Sequence, residues 1–549
     1  MQTSKTYSSS VLLIIGLTGG ALALSCCGSS SAAQGRETNA NAGCVVAQDP
    51  DGPGTSSWAF LDASGALGYG TLPQGDRLLD FSYAGYAGGG VAIPFASAEQ
   101  TVPPSGGDDD TAAIQAAIDA VSQMSPGGDG IRGAVQLQPG TFTLRGSLSI
   151  RTSGVVLRGS GSGSDGTVLI VAGNPRALIS IQGSGSWATV GSRAAIVDDY
   201  VASGANSFTV DDASGLAVGA TVLVDRPVTD AWVSFMQMDH LMRGGQPQTW
   251  ISTRTVIHSD RMITAIDGNQ ITADAPLSDS IDALYLRPPG ATVIRYTFNG
   301  RIAQVGMESM RIIAPPVPAP ISQPTFSLLS IKAVINGWVR DVVAQDFING
   351  LTIDNTSKWI TIEDTAFTHT VAADTSAGAP ADYGIDGQQI LIHRSSSQGD
   401  HWFSVVTQAT EPGPNVVLNF SASGSSTNLA PHQRWATGLL LDNVYSPSGG
   451  IALQDRGNAG SGHGWSIGFA VVWNSLANTL LIQRPPGSTN WSIGSSGRLT
   501  QAAEPGNPDR TPLPQGTIDS HGTRVAPGSL YLEQLCERLG PAALANIGY

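Results

Sequence analysis

The feature that most narrows the fold is an inexact repeat over residues 333–494. Two of its units are Trp338-Val339-Arg340-Asp341-Val342-Val343-Ala344-Gln345-Asp346-Phe347 and Trp359-Ile360-Thr361-Ile362-Glu363-Asp364-Thr365-Ala366-Phe367, with Trp338 and Trp359 21 positions apart. Short apolar runs at 389–393, 415–420, 437–444, 467–473 and 479–483 follow, each with Gly, Asn, Asp or Ser nearby. A unit this short cannot bury its own apolar face, so it must stack on its neighbours. The pattern predicts an all-β chain, a parallel β-helix. Its chemistry should sit where polar side chains of successive coils line up on one outer face.

Composition agrees. Lys occurs only at 5, 332 and 358, charged residues make up 13% and Gly is abundant at 67 residues, which favours strands and turns over long helices. A net charge of −15 argues against a nucleic-acid binder, which would need a broad basic face. An anionic ligand would need a local Arg/His cluster to overcome that field.

In chain order, residues 1–25 read as an export signal, with Lys5 before an apolar stretch too short and Gly-rich for a permanent span. Leu22-Ala23-Leu24-Ser25-Cys26 resembles a bacterial lipoprotein box, although Ala23 stands where Leu is usual and Cys27 follows at once. The two readings are lipidation of Cys26, with membrane attachment through it, and plain secretion. Both place the protein outside the cytoplasm: secreted, periplasmic or anchored at a bacterial cell surface. Export also permits a disulfide between Cys44 and Cys536, though nothing in the sequence brings them together. Residues 26–57 form a flexible tether, and 58–194 an N-terminal cap with the first coils. Within 58–194, Asp108-Asp109-Asp110-Thr111 opens a helix, an Asp capping its free N–H groups and Ile114, Ala117, Ile118 and Val121 forming its apolar stripe. Residues 195–295 interrupt the coils as an inserted β region, with strands expected at 207–210, 220–224, 253–257, 262–266 and 270–273. Its Trp and Arg residues suit either a sugar-binding cleft or a structural core. The main coils occupy 296–498. Residues 499–549 form a tail ending in a short amphipathic helix at 530–539 that packs on the barrel or covers its end.

One stretch carries a family resemblance. Asp109-Asp110-Thr111-Ala112-Ala113-Ile114-Gln115-Ala116-Ala117-Ile118, then Val135-Gln136-Leu137-Gln138-Pro139-Gly140-Thr141-Phe142, then Val155-Val156-Leu157-Arg158-Gly159, resembles the opening of the pectate-lyase-like superfamily. The resemblance covers roughly residues 100–172. It implies a right-handed parallel β-helix whose N-terminal end is plugged by a helix, hiding an apolar disc and unpaired strand edges. It implies activity less sharply, because lyases, hydrolases, epimerases and phage tailspikes share this opening.

Five of the eight His residues, His369, His393, His401, His432 and His463, recur about once per coil. His432 and Arg434, two residues apart, would project to one side of a strand. Such a set suits β-elimination of a uronic-acid polymer. An always-charged, bidentate Arg neutralises the carboxylate, and His, titrating near the working pH, moves the proton. The expected catalytic residues are Arg434 as carboxylate neutraliser and His432 or His401 as base or acid, with His393 beside them. The expected binding residues are Arg394, Asp400, Trp402, Trp435, Arg456, His463 and Trp465. Each His has a bland alternative as turn structure, and each Trp as core. Lys332 and Lys358 rank lower as bases, having no evident Arg partner on an adjacent coil. Gly462-His463-Gly464 is similar to the Gly-His-Gly of polygalacturonases, but the paired Asp elements of those enzymes are missing. The Asp-rich calcium site of typical pectate lyases is not evident, so calcium stays an open option with no ligands assigned. A glycoside hydrolase would need two carboxylates across a cleft, and only Glu363 and Glu411 lie near. A non-enzymatic carbohydrate-binding surface protein is the third reading.

Overall fold

The computed structural model describes Cys44 and residues 54–549, apart from 319, 377, 379 and 425–427. The export signal, Cys26, Cys27 and most of the tether therefore lie outside the described residues.

Each full coil contributes to three ladders, in several coils through one long bent strand that serves two of them, and the strands pair in parallel with their counterparts one coil away, giving one sheet of 27 strands. The first ladder includes Val155–Arg158, the start of Ile302–Ile313, Val334–Gln345 and Lys358–Thr368, then Leu391–His393, Pro412–Leu418, Ala436–Asp442 and Val471–Trp473. Inside it, Leu157, Met307, Val339, Ile362, Ile392, Val417 and Leu441 stack in register and are buried. This column is why the repeat exists: removing one coil would expose the apolar disc of the next. Trp338 pairs with Thr361, 23 residues on, not with Trp359. The visible likeness of the two Trp residues is therefore out of register; Arg340–Glu363 and Asp341–Asp364 are the true equivalents.

After the first ladder the chain bends through one left-handed residue per coil: Ser309, Asp341, Asp364, Arg394, Asn419, Asn443 and Asn474, with φ between 47° and 59°. Asn and Asp tolerate this conformation better than most residues, which explains their recurrence. The residue before each bend points outward and builds a column of alternating charge, Arg158, Glu308, Arg340, Glu363 and His393. Glu308 takes Arg158 at 2.6 Å and also pairs with Arg340.

The N-terminal helix, Thr111–Ser122, buries Ile114, Ala117, Ile118 and Val121 against the first coils. The capping Asp is Asp109 rather than the residue at the N-cap position. Asp110 occupies the N-cap position but turns its carboxylate to the N–H groups of Ser105 and Thr143, while Asp109 accepts from the Thr111 N–H. Asp110 therefore fastens the helix to the barrel rather than to itself.

The inserted region leaves the third ladder after Ala177–Gln182 and returns at Ile302. It is an antiparallel sheet of Ala188–Ala195, Thr292–Thr297, Thr221–Pro227 and Val256–Asp267, extended by Gln270–Ala273 and Ser207–Thr209. The two strands expected at 253–257 and 262–266 are one continuous strand, Val256–Asp267, because polar Ser259, Asp260 and Arg261 in its middle are all ladder-paired with the strand beside it. At the junction, Lys358 (3% exposed) donates to the Asp260 carbonyl at 2.9 Å and lies 3.3 Å from its carboxylate, which also pairs with Arg301 at 2.9 Å.

Over the outer face of the first ladder, Leu78, Leu79 and Phe81 share a core with Leu530, Tyr531 and Leu535 of the helix Leu530–Leu539. Gln534 bridges to the Leu79 carbonyl at 2.8 Å, and Arg538 to the Ser82 and Gly88 carbonyls. A Cys44–Cys536 disulfide, with Cα atoms 5.6 Å apart, fastens the same seam. A further helix, Pro541–Asn546, completes the cover.

Candidate functional site

The third ladder runs through Ser327–Lys332, Asn349–Ile353, Ala381–Ile385, Phe403–Thr407, Asn428–Leu429 and the end of Tyr445–Leu453, and Asn349, Ala381, Phe403 and Val406 of its middle strands form the floor of a cleft of about 600 Å³. Two rows of loops wall it. One wall, from connections between the second and third ladders, brings Ile321, Ser376, Gly378 and Pro380. The other is built where successive coils turn from the third ladder back to the first. It brings Gln408, His432, Arg456, Gly460 and His463, and the insert adds Arg243 from above. These side chains come from one corner of successive coils, so the solenoid itself concentrates them. Backbone bonds fix the stacking, with Gln408 N–H donating to the Ile385 carbonyl and His432 N–H to the Thr407 carbonyl.

His432 and His463 meet edge to face, ring centroids 4.7 Å apart. His432 Nδ1 lies 3.3 Å from Gln408 Oε1, and Arg456 Nη1 donates to the His432 carbonyl at 2.8 Å. Burial, then the charges of Arg456 and Arg434, push the His432 imidazole down to about 4. Burial, then Arg456, push His463 down to about 3. Both rings are thus neutral at neutral pH and retain a nitrogen able to accept a proton. Arg243 and Gln248 both donate to the Gly460 carbonyl, tying the insert to the loop that carries His463. Gly460, at φ 54°, has no room for a side chain, since a Cβ there would meet His463 Nε2 at 2.1 Å.

No carboxylate lines this cleft among the described residues. Glu411 is buried behind Gln408, its carboxyl raised well above the usual range by burial and then by Asp386. Glu363 pairs with His393 at 3.0 Å and Arg394 at 3.2 Å. No group of three or more His, Cys, Asp or Glu is placed to hold a metal among the described residues, so the oxygen-rich cradle that calcium requires is not built by these side chains.

Of the expected residues, the structure brings together His432, His463 and Arg456. Arg434 is elsewhere engaged. Its Nε donates to the Trp250 carbonyl at 2.6 Å and its Nη2 to the Ser461 carbonyl and hydroxyl at 3.0 and 2.7 Å. It sits at φ 51°, out of the extended geometry that would have pointed it with His432, and clamps the insert to the coil. His393 and Arg394 lie on the first ladder, under the C-terminus. His393 is fully buried, and Arg394 grips Asp364 at 2.8 and 2.9 Å and the Ile547 carbonyl at 2.6 Å. His401 and Asp400 occupy an exposed turn before Phe403 and do not line the cleft. Trp402 is 1% exposed and stacks on His369 at 3.5 Å. Trp435 and Trp465 belong to the core of the insert, where Trp435 packs edge-on against Trp232 and Trp250. These three indoles are packing residues rather than sugar platforms in the cleft: Trp435 and Trp465 give the insert an apolar floor on the coils, and Trp402 packs with Ile348 and Ala373. Lys358 is spent on Asp260.

Sequence reasoning missed Arg243 and Asn349. No local motif marks either. Arg243 arrives through an insert whose position over the coils no sequence pattern states, and Asn349 opens a third-ladder strand that the repeat did not single out.

No family model and no curated protein matches the chain. Among solved structures it is similar to the tailspike protein gp49 from Pseudomonas phage LKA1, at 12% identity over 76% of this chain and 72% of that one, TM-score 0.35. It is also similar to a polygalacturonase from Erwinia carotovora ssp. carotovora, at 12% identity, 79% and 95% coverage, TM-score 0.32. A third similarity is to PfbA, a surface adhesin of Streptococcus pneumoniae, at 9% identity, 81% and 100% coverage, TM-score 0.31. The succession of parallel coils, kept up on both sides of the insert and through local register shifts, makes the chain a right-handed parallel β-helix protein.

Proposed function

We propose that this is an exported protein that binds an acidic polysaccharide in the third-ladder cleft and cleaves it by β-elimination. One observation carries the reading: two guanidinium groups and two neutral imidazoles line a large cleft in which, among the described residues, no carboxylate competes for them, in a protein whose overall charge is −15. Arg456 and Arg243 would neutralise the uronate carboxylate and thereby acidify the C5 proton. His432 would take that proton as the C4–O bond breaks and a C4=C5 double bond forms. The resulting imidazolium, with His463 against it, returns a proton to the departing glycosidic oxygen. The absence of cleft carboxylates disfavours hydrolysis, which needs two of them. The Cys44–Cys536 disulfide supports an oxidising compartment, hence export. The strongly lowered basicity of both rings favours a second reading, binding without cleavage.

The test is product chemistry. The protein is incubated with pectate, alginate, glucuronan and glycosaminoglycans while ultraviolet absorbance of an unsaturated uronate and new reducing ends are followed. Absorbance lost in His432→Ala supports elimination. Reducing ends without absorbance would overturn it in favour of hydrolysis, and saturable binding without new ends would leave the binding role.

A further inference from the structure

A second cavity lies where residues 72–76, the insert and the last coils meet. It shares no lining residue with the cleft. It has an outer lobe of about 440 Å³ and an inner lobe of about 130 Å³, joined through Gln74, Pro486, Gly487 and Ser488. The outer lobe has the size of a small-ligand pocket. Its walls are largely apolar: Leu72, Pro73, Leu513, Pro514 and Trp465. The aromatic wall of the inner lobe is Phe235 and Tyr285, stacked at 4.0 Å, while the Trp232 ring beside them is already engaged by the Arg226 guanidinium at 4.3 Å and by Trp250 at 5.0 Å.

Two polar groups on these walls lack partners. Arg226 is 6% exposed; its Nε is held by the Ser280 carbonyl and Asp279, each at 3.2 Å, but its Nη1 has no hydrogen-bond partner. Ser488 is 7% exposed and its Oγ is likewise unpartnered. A buried donor left unpaired is costly, so an acceptor from a ligand would be gained at little expense. The charge balance fixes the class of ligand. Asp279 already offsets Arg226 and Asp282 lies beside it, so around Arg226 in the inner lobe a second carboxylate would meet repulsion, whereas the exposed Arg484 stands on the wall of the outer lobe. A neutral hydroxyl or carbonyl would meet no such repulsion around Arg226.

We infer that this cavity binds a neutral pyranose, its apolar ring face against the aromatic wall and one oxygen accepting from Arg226 Nη1 while Ser488 Oγ bonds a second. The sugar is either free or the neutral residue of a longer glycan; the chemistry of recognition is the same. The site is independent of the acidic-polysaccharide reading, since none of its residues serves the cleft.

The full chain is titrated with glucose, galactose and N-acetylglucosamine, with maltohexaose, and with galacturonate, following tryptophan fluorescence and heat. Saturable binding of at least one neutral sugar is expected, with a change in emission from Trp232 and Trp465. Ser488→Leu, which fills the neck, should abolish it, and Ser488→Ala should weaken it roughly three- to tenfold, the loss of one buried hydrogen bond. Where Ser488→Leu does not fold by circular dichroism, Gln74→Trp closes the same neck from an exposed position. Tighter binding of the oligomer would identify a polymer-borne sugar, and equal binding a free one. The inference is overturned if no neutral sugar binds, if galacturonate binds as well, or if the folded neck variants bind like the parent. Polyuronate binding should be unchanged in all of these variants, so failure here and failure of the cleft reading are separable.

Discussion

Replacing Lys358 by Met tests how the insert is held over the coils. Lys358 Nζ lies 3.3 Å from Asp260 Oδ1 and 3.7 Å from Asp274 Oδ2, in a setting where Lys358 is 3% and Asp260 1% exposed. Burial alone would raise the Asp260 carboxyl. Lys358, then Arg301 and the Tyr296 hydroxyl, override it and hold the group at about 2, below its ordinary 3.8. A depression of that size corresponds to roughly 2–3 kcal/mol of stability, present above the unfolded value and lost as pH falls toward 2. Removing one partner of a buried pair costs about 3–5 kcal/mol; with Arg301 still in place the lower end, about 3 kcal/mol, applies. If the insert opens as a unit, its amides in Val256–Asp267 and Thr292–Thr297 should exchange roughly a hundredfold faster, while the coil columns exchange as before. Hydrogen exchange read by mass spectrometry gives both numbers. Because the insert carries Arg243, affinity for polyuronate should fall too. Adding Asp260→Asn to Lys358→Met should recover part of the loss, since the uncompensated charge is gone. Exchange changed by less than about threefold, or a double variant worse than the sum of the singles, would refute the pairing as the fastening.

Three further outcomes follow from the cleft. Arg456→Ala should weaken polyuronate binding about tenfold to a hundredfold by calorimetry, the range for a charge-assisted hydrogen bond, with thermal unfolding nearly unchanged. His432 and His463, held near 4 and 3, gain charge only in acid, so polyuronate affinity should rise and proton uptake on binding should increase as pH falls from about 6 toward 4; affinity flat over that range would contradict the placement of the rings. Gly460→Ala should displace His463 and strain a position at φ 54°, lowering cleavage or binding while distant Gly219→Ala, also at positive φ but with open space around it, should not.

The scaffold was legible because its cause is local and repeated. Apolar runs at coil spacing, and Asp or Asn at the bends such as Asp341, Asp364 and Asn443, encode stacking directly. Register was less legible, because Trp338 and Trp359 draw the eye although the outward Trp338 serves the cover through Tyr86, 5.6 Å away, rather than the column. For the candidate site, the recurrence of His down the coils mixed three faces. His393 belongs to the first ladder, His401 to the turn before the third, and only His432 and His463 to the corner after it. A strand reading put Arg434 beside His432, yet the backbone there takes positive φ and sends its guanidinium to the insert. Which corner a loop occupies depends on exact strand ends, and what covers it depends on a 183–301 excursion, wider than the 195–295 expected, whose docking rests on buried pairs that carry no periodic signal.

The seam between Leu78, Leu79, Phe81 and the helix Leu530–Leu539 bears on biosynthesis. The coils can stack in the order in which they emerge, each completing the one before. The early segment at residues 78–88 must wait, because its coil partners, such as Thr361 for Tyr86, lie 275 positions away and its helix partners, such as Gln534 for Leu79, 455 positions away. Through synthesis and any passage across a membrane, the outer face of the first ladder therefore stays uncovered. A chain truncated before residue 530 should fold its barrel and yet remain sticky and protease-sensitive along that one flank, so the helix Leu530–Leu539 is the piece that seals it.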